Sequence, residues 1–161
     1  MLGELTYKNM TQERKQFQRT EDGHLILMSN EERNLLITDL TARINYGVIC
    51  LIERVDDFGP IHRNEKLTGF CFDDIGGFHF EVCGGLEIVF AEKIMPYLRP
   101  MSSMTEEEHE EYKSLFELFG KIPVIKQNDK YFDFINSHHF DYRGLIPMGL
   151  ALEAPEEMYK F

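Results

Sequence analysis

Residues 48–91 read VICLIERVDDFGPIHRNEKLTGFCFDDIGGFHFEVCGGLEIVFA. The stretch contains four runs rich in β-branched and aromatic residues, separated by clusters of Asp, Gly and Pro. In the third run, Phe78, Phe80 and Val82 alternate with His79 and Glu81, which indicates one buried and one wetter face. Short strands joined by glycine turns predict an antiparallel meander or a small partial barrel. The predicted strands are Val48–Val55, Lys66–Phe72, Phe78–Cys83 and Leu86–Ala91.

Helical patterns lie on both sides of this strand-rich block. Ser29 with Glu32, and Thr105 with Glu108, form capping boxes, in which each side chain bonds the other residue's backbone amide. Asn128 is a candidate cap for a further helix. The helices are predicted near 30–44, 105–119 and 129–138. Helices from both ends of the chain around a central sheet predict an α+β fold.

Two connecting segments are predicted to be irregular or extended. Pro96 and Pro100 bracket Tyr97-Leu98-Arg99, and proline fixes its own backbone angle and restricts the residue before it, so this segment is predicted to be extended. The tail 145–152 is apolar and is predicted to pack as irregular structure or a short helical turn.

Length and composition indicate one globular domain over 1–161, with 1–28 as a loosely packed N-terminal segment. The apolar fraction is 43%, enough for a core without disulfides. The N-terminus lacks a signal-peptide pattern and no apolar run is long enough to span a membrane, so we expect a cytoplasmic protein. Cys50, Cys71 and Cys83 are an odd count at unpatterned spacings and are predicted to be reduced core thiols.

The charge balance argues against nucleic-acid binding. The formal net charge is −11, which repels phosphate backbones, and no dense Lys/Arg cluster offsets it. The sequence also lacks a Walker loop, a Rossmann glycine pattern, a zinc-spaced cysteine set and a nucleophile elbow. We therefore expect no cofactor, no resident metal and no catalytic set of a known kind.

Three segments carry a family resemblance. They are PYLRPMSSMTEEE at 96–108, HHFDYRGLI at 138–146 with GLALEAP at 149–155, and DLTARINYGV at 39–48. Together they resemble a family of uncharacterised proteins encoded by gut anaerobes of the Bacteroides type and by their phages and mobile elements. The resemblance implies an accessory protein of a phage or mobile element and implies no reaction.

The densest polar cluster contains His138, His139, Asp141 and Arg143. Two imidazoles and a carboxylate can bind a divalent metal, or act as a base beside an arginine that holds an anion. Adjacent side chains diverge on both helices and strands, which makes a shared metal difficult for the two histidines. The alternative is a helix C-terminus, with Asp141 pairing with Arg143 or capping the next turn.

Arg99 is a second candidate for anion binding. It precedes Ser102 and Ser103 at a helix start, where free amides favour an anion. Three glutamates in the first turn of that helix argue against a phosphate there. The alternative is a rigid connector whose arginine pairs with the acidic run.

Paired carboxylates and aromatic side chains each have a structural and a functional interpretation. Glu53, Asp56-Asp57 and Asp73-Asp74 are predicted to lie at turns, although such pairs also serve metal or glycoside chemistry.

The aromatic residues are predicted to form the core, although exposed ones can stack on bases. Those predicted for the sheet are Phe70, Phe72, Phe78, Phe80 and Phe90, and those for the helices are Phe116, Phe119, Phe132 and Phe134.

These patterns leave the function open among three classes. The first is a non-enzymatic accessory protein that acts through a protein partner, without a role at nucleic acid or membrane. The second is a binding module for a small anionic ligand such as a nucleotide, with Arg99, His138, His139, Asp141 and Arg143 as its site. The third is a metal-dependent hydrolase.

Overall fold

The computed structural model describes residues 28–74, 77–82, 87–117 and 124–159. These residues form three α-helices and one six-stranded sheet, which confirms the predicted α+β class. The elements are α1 (Asn30–Arg43), β1 (Ile49–Asp56), β2 (Gly59–Phe72), β3 (Phe78–Val82), β4 (Glu87–Val89), β5 (Ile94–Leu98), α2 (Glu106–Glu117), α3 (Val124–Ser137) and β6 (Leu152–Glu153).

The sheet is open, and its strand order is β4-β3-β2-β1-β5-β6. The predicted meander is confirmed, because β1 to β4 pair antiparallel in chain order. The sheet does not end near Ala91 as predicted. The extended Pro96 segment is β5, which pairs antiparallel with β1, and β6 adds a parallel edge through Tyr97 and Leu152. Arg99 then bridges to Phe140 beyond the end of β5.

Both faces of the central strands are covered. Cys50 and Ile52 point into a core with Leu36 and Leu40 of α1, because alternate strand residues share a face. Leu51 lies on the opposite face. There it packs with Met95, Tyr97 and Leu152, against three residues of the segment after β6, Ala154, Met158 and Tyr159. A third cluster joins α2 and α3 around Phe134, Ile135 and Phe140.

Two of the three helices begin at the capping boxes that the sequence predicts. Both capping boxes are present, at Ser29 with Glu32 and at Thr105 with Glu108. The third helix was predicted to begin at 129 after an Asn128 cap, but α3 begins at Val124. Pro123 directly precedes it in sequence, and a proline is well tolerated at a helix start. None of the described helices is long and apolar enough to cross a membrane.

The prediction that the sheet phenylalanines form the core is wrong for three of the five. Phe80 is buried, but Phe70, Phe72 and Phe90 are 49%, 65% and 51% exposed. Phe70 lies opposite Phe80 and so shares its face. Strand alternation determines the face of a side chain, and the cover on that face comes from elements distant in sequence. Among the helical aromatics, Phe134 is buried, Phe116 and Phe132 are exposed, and Phe119 lies outside the described residues.

Candidate functional site

A buried ion pair joins α1 to the segment that follows α3. Arg43 donates to both carboxylate oxygens of Asp39, at 2.8 and 3.0 Å, and to the Phe140 carbonyl at 2.8 Å. Both charged side chains are completely buried. Neither residue was singled out from the sequence. The available signal was the acid–base pair at a spacing of four in α1, a spacing that is also common on exposed helix faces.

His139 is held in the interior in a left-handed backbone conformation. Its φ is 57°, a region that histidine enters more often than most residues. Its ring stacks on Tyr159 with centroids 3.9 Å apart. Burial, and secondarily the charge of Arg43, lower the pKa of His139 to about 3. The imidazole is therefore neutral at physiological pH.

Asp141 caps the turn that follows it. Its two carboxylate oxygens accept the backbone amides of Leu145 and Ile146, each at 2.8 Å. The alternative in which Asp141 caps the next turn is therefore observed, and no ion pair with Arg143 is present. The Arg143 guanidinium instead lies over the Tyr142 ring, with its Nε 3.4 Å from Asp39.

Arg99 pairs with the acidic run, as the connector interpretation predicted. It donates to both carboxylate oxygens of Glu108, at 2.7 and 2.8 Å, and to the Ser103 carbonyl at 3.1 Å. Its guanidinium lies 4.5 Å from the centroid of the Phe140 ring. Hydrogen bonding to Arg99 is the main reason that the pKa of Glu108 is lowered.

His138 follows the C-terminus of α3 and interacts with its last turn. Its Nδ1 lies 2.9 Å from the Phe134 carbonyl, and since a carbonyl only accepts, Nδ1 carries the hydrogen. The ring stacks against Phe140 at an interplanar angle of 13°. The adjacent His139 points into the interior, so the two histidines do not share a ligand position.

Arg99 and His138 are the two sequence-predicted site residues that line a cleft of about 810 Å³. His139, Asp141 and Arg143 are not among its lining residues. The structure therefore divides the predicted site. We call this cavity the acidic cleft, because its walls contain five glutamates, three from α2, one from β6 and one from the segment after β6. They are Glu107, Glu108, Glu111, Glu153 and Glu156.

The carboxylates predicted for turns behave differently from one another. Asp56 accepts the Phe58 amide and Asp73 accepts the Gly77 amide, as turn residues do. Glu53 is not at a turn. It is buried inside β1, with its carboxylate 3.5 Å from His62 on β2. Within the described ranges, no group of three or more His, Cys, Asp or Glu side chains is arranged to hold a metal ion.

Comparison with known proteins adds no family to this description. No protein-family model, curated protein or solved structure matches the chain. The resemblance of 39–48, 96–108, 138–146 and 149–155 to proteins of gut anaerobes, their phages and mobile elements therefore stays a prediction.

Proposed function

We propose that this chain is a non-enzymatic accessory protein that binds a basic segment of a protein partner in the acidic cleft. The observation that carries the proposal is the charge of the cleft, where five glutamates stand against one arginine. That arginine, Arg99, already pairs with Glu108 through two hydrogen bonds. The cleft is therefore suited to a cationic occupant and repels a free anion.

The remaining glutamates of the cleft are available for a partner. Glu107, Glu111, Glu153 and Glu156 are all exposed. In the described part of the chain, no Lys or Arg lies within ion-pair distance of these four carboxylates. A lysine- or arginine-containing segment would supply the missing counter-charges, and complementary charge increases both the rate and the specificity of association.

The resemblance to proteins of phages and mobile elements supports a biological context for this binding function. Proteins of phages and mobile elements commonly act on components of their host. A cytoplasmic protein with an acidic cleft fits that role through contact with a basic host protein. Neither nucleic acid nor a membrane surface is a partner in this proposal, because both carry negative charge.

A matched pair of variants tests the acidic cleft. The cleft variant replaces Glu107, Glu111 and Glu156 with Gln, and the control replaces Glu106, Glu110 and Glu117 with Gln. Both remove three charges, and the control residues lie on α2 outside the cleft. Tagged proteins are used to capture partners from host lysate, with recovery measured by quantitative mass spectrometry.

We expect specific partners to be retained by wild type and by the control, and to be lost from the cleft variant. Their affinity for wild type should fall as salt is raised from low to physiological concentration, since the Debye length shortens to about 8 Å. Equal recovery with all three proteins would contradict the proposal.

A small anionic ligand is the second candidate, and one cluster of donors supports it. Arg43 Nη1 and the Tyr142 hydroxyl are buried and have no hydrogen-bond partner, and Arg143 Nε, which is also buried, has the ion pair with Asp39 at 3.4 Å but no hydrogen bond. Both guanidinium groups lie near the Tyr142 ring, at 5.6 and 4.8 Å from its centroid. Unsatisfied buried donors are uncommon, and a bound anion or water is one way to satisfy them.

Thermal denaturation with and without ligand separates the two candidates. Phosphate or ATP at about a hundred times its Kd would stabilise the protein by about 2.7 kcal/mol. The stabilisation should disappear in Arg143→Gln and persist in the cleft variant. No change in the melting temperature at millimolar phosphate or ATP would remove this candidate.

A further inference from the structure

We infer that Cys71, His79 and Asp73 form a thiol–imidazole–carboxylate site in which Cys71 is an activated nucleophile for thiol–disulfide exchange. The site lies on β2 and β3, and none of its residues lines the acidic cleft. It is independent of the proposed function, so the failure of one leaves the other standing.

The carboxylate is fixed by the turn between β2 and β3. The Asp73 amide donates to the Gly77 carbonyl at 2.9 Å, and the Gly77 amide donates back to Asp73 Oδ1 at 2.5 Å. Gly77 is required for this approach, because a Cβ there would lie 2.3 Å from Asp73 Oδ2. The turn therefore holds the carboxylate in one orientation and leaves Oδ2 directed to β3.

The imidazole is oriented by that carboxylate. His79 Nε2 lies 2.7 Å from Asp73 Oδ2, and the ring packs against Phe90 with centroids 4.5 Å apart. Since a carboxylate only accepts, Nε2 carries the hydrogen and Nδ1 of the neutral ring keeps a lone pair. His79 is 4% exposed, and its Nδ1 is buried without a hydrogen-bond partner. This arrangement orients a base whose second nitrogen is unused.

The thiol is the cross-strand neighbour of that base. Cys71 lies directly opposite His79 in the β2–β3 register, so both side chains leave the same face of the sheet. Directly opposed side chains have Cβ atoms about 4.5–5.5 Å apart, which brings the sulfur within reach of the ring by rotation about χ1. Cys71 is a free thiol and is partly exposed, contrary to the prediction of a core thiol. A reagent can therefore reach it.

The exchange reaction needs no oxidant other than its disulfide substrate. His79 Nδ1 accepts the Cys71 proton, and the thiolate attacks one sulfur of a small disulfide. A new S–S bond forms on Cys71 as the S–S bond of the substrate breaks. The departing thiolate takes the proton from the imidazolium, so the products are a mixed disulfide and one free thiol. Asp73 is a positioning residue that stabilises the imidazolium between the two transfers.

The first test uses the wild-type protein alone. The native protein and the urea-unfolded protein are treated with dithiodipyridine, and peptide mapping follows the mixed disulfide at each cysteine with time. Cys50 is the internal reference, because it is fully buried and its burial raises the pKa of its thiol. We expect Cys71 to react at least about tenfold faster in the native chain than in the unfolded chain, where no base is held beside it. A native rate at or below the unfolded rate overturns the inference.

The second test assigns the roles of the partners. His79→Gln is expected to lower the native Cys71 rate to that of the unfolded chain, and Asp73→Asn to lower it in part. Asp73→Glu, which keeps a carboxylate, is expected to retain more of the rate than Asp73→Asn. Glu81→Gln is the control, because it removes one charge from the same strand of the sheet. Native Cys71 rates that are equal in wild type and in His79→Gln, with Cys50 still protected in both, overturn the inference.

Discussion

The buried Asp39–Arg43 pair gives the sharpest test of how the chain is held together. Replacing Asp39 with Asn keeps the shape of the side chain and leaves Arg43 as a buried charge without its counter-ion. Both side chains are 0% exposed, so solvent does not screen the loss. Breaking a buried pair on one side costs about 3–5 kcal/mol. For a chain of 161 residues this corresponds to a fall in Tm of about 6–20 °C.

The assay is urea unfolding monitored by circular dichroism, and two further variants serve for comparison. Glu110→Gln breaks the exposed pair with Lys113 and is expected to leave the unfolding midpoint unchanged. The double variant Asp39→Leu/Arg43→Met removes both charges, and we expect it to recover most of the stability lost in Asp39→Asn. An equal unfolding midpoint for Asp39→Asn and Glu110→Gln would show that the Asp39–Arg43 pair contributes no more to stability than an exposed pair, and would contradict the prediction.

Three further predictions concern other contacts of the same fold. Because the pKa of His139 is lowered to about 3 from an ordinary value of 6.5, its contribution to stability is complete above pH 6.5. It is lost as the pH falls from 6.5 toward 3, by about 1.4 kcal/mol per pH unit, and His139→Asn, which tolerates the positive φ, should flatten that slope in urea titrations. Arg99→Gln should cost about 1.5–3 kcal/mol by removing charge-assisted bonds to the carboxylate of Glu108, and a destabilisation equal to that of Glu110→Gln would contradict this. Ser29→Ala should cost about 0.5–2 kcal/mol in the same assay, because the amide of Glu32 loses its acceptor, and an unchanged midpoint would show that this cap contributes nothing.

Features determined by neighbouring residues were predictable from the sequence. Each capping box needs only residues three apart, and both are present where the pattern placed them. The antiparallel order of β1 to β4 agrees with the prediction made from the glycines that separate adjacent apolar runs in the sequence. The pairing of Arg99 with the acidic run was predictable for the same reason, because Arg99 and Glu108 are only nine residues apart in sequence.

Features that depend on distant residues were not predictable in the same way. The parallel pairing of Tyr97 with Leu152 joins segments that no local pattern connects. The burial of single side chains was also not predictable from residue type, for apolar and for charged residues alike. Phe72 is exposed although its residue type favours a core, and Asp39 is buried although its type favours solvent. His79 was assigned to a wetter face by alternation, yet it is buried on that face.

The segment 138–143 illustrates why dense polar motifs are a weak guide to chemistry. His139 occupies a strained backbone position, Asp141 satisfies two turn amides, and the Phe140 carbonyl accepts from Arg43. The positive φ favours a residue such as His139, and the two turn amides need a carboxylate such as Asp141, so folding explains these two residues of the motif without a reaction. A side chain can bind a ligand or react only if some of its polar atoms are not already engaged in contacts that stabilise the fold. The exposed glutamates of the acidic cleft and Nδ1 of His79 meet that criterion and lie outside 138–143, whereas within the segment the buried polar atoms without a hydrogen-bond partner are His139 Nδ1, the Tyr142 hydroxyl and Arg143 Nε.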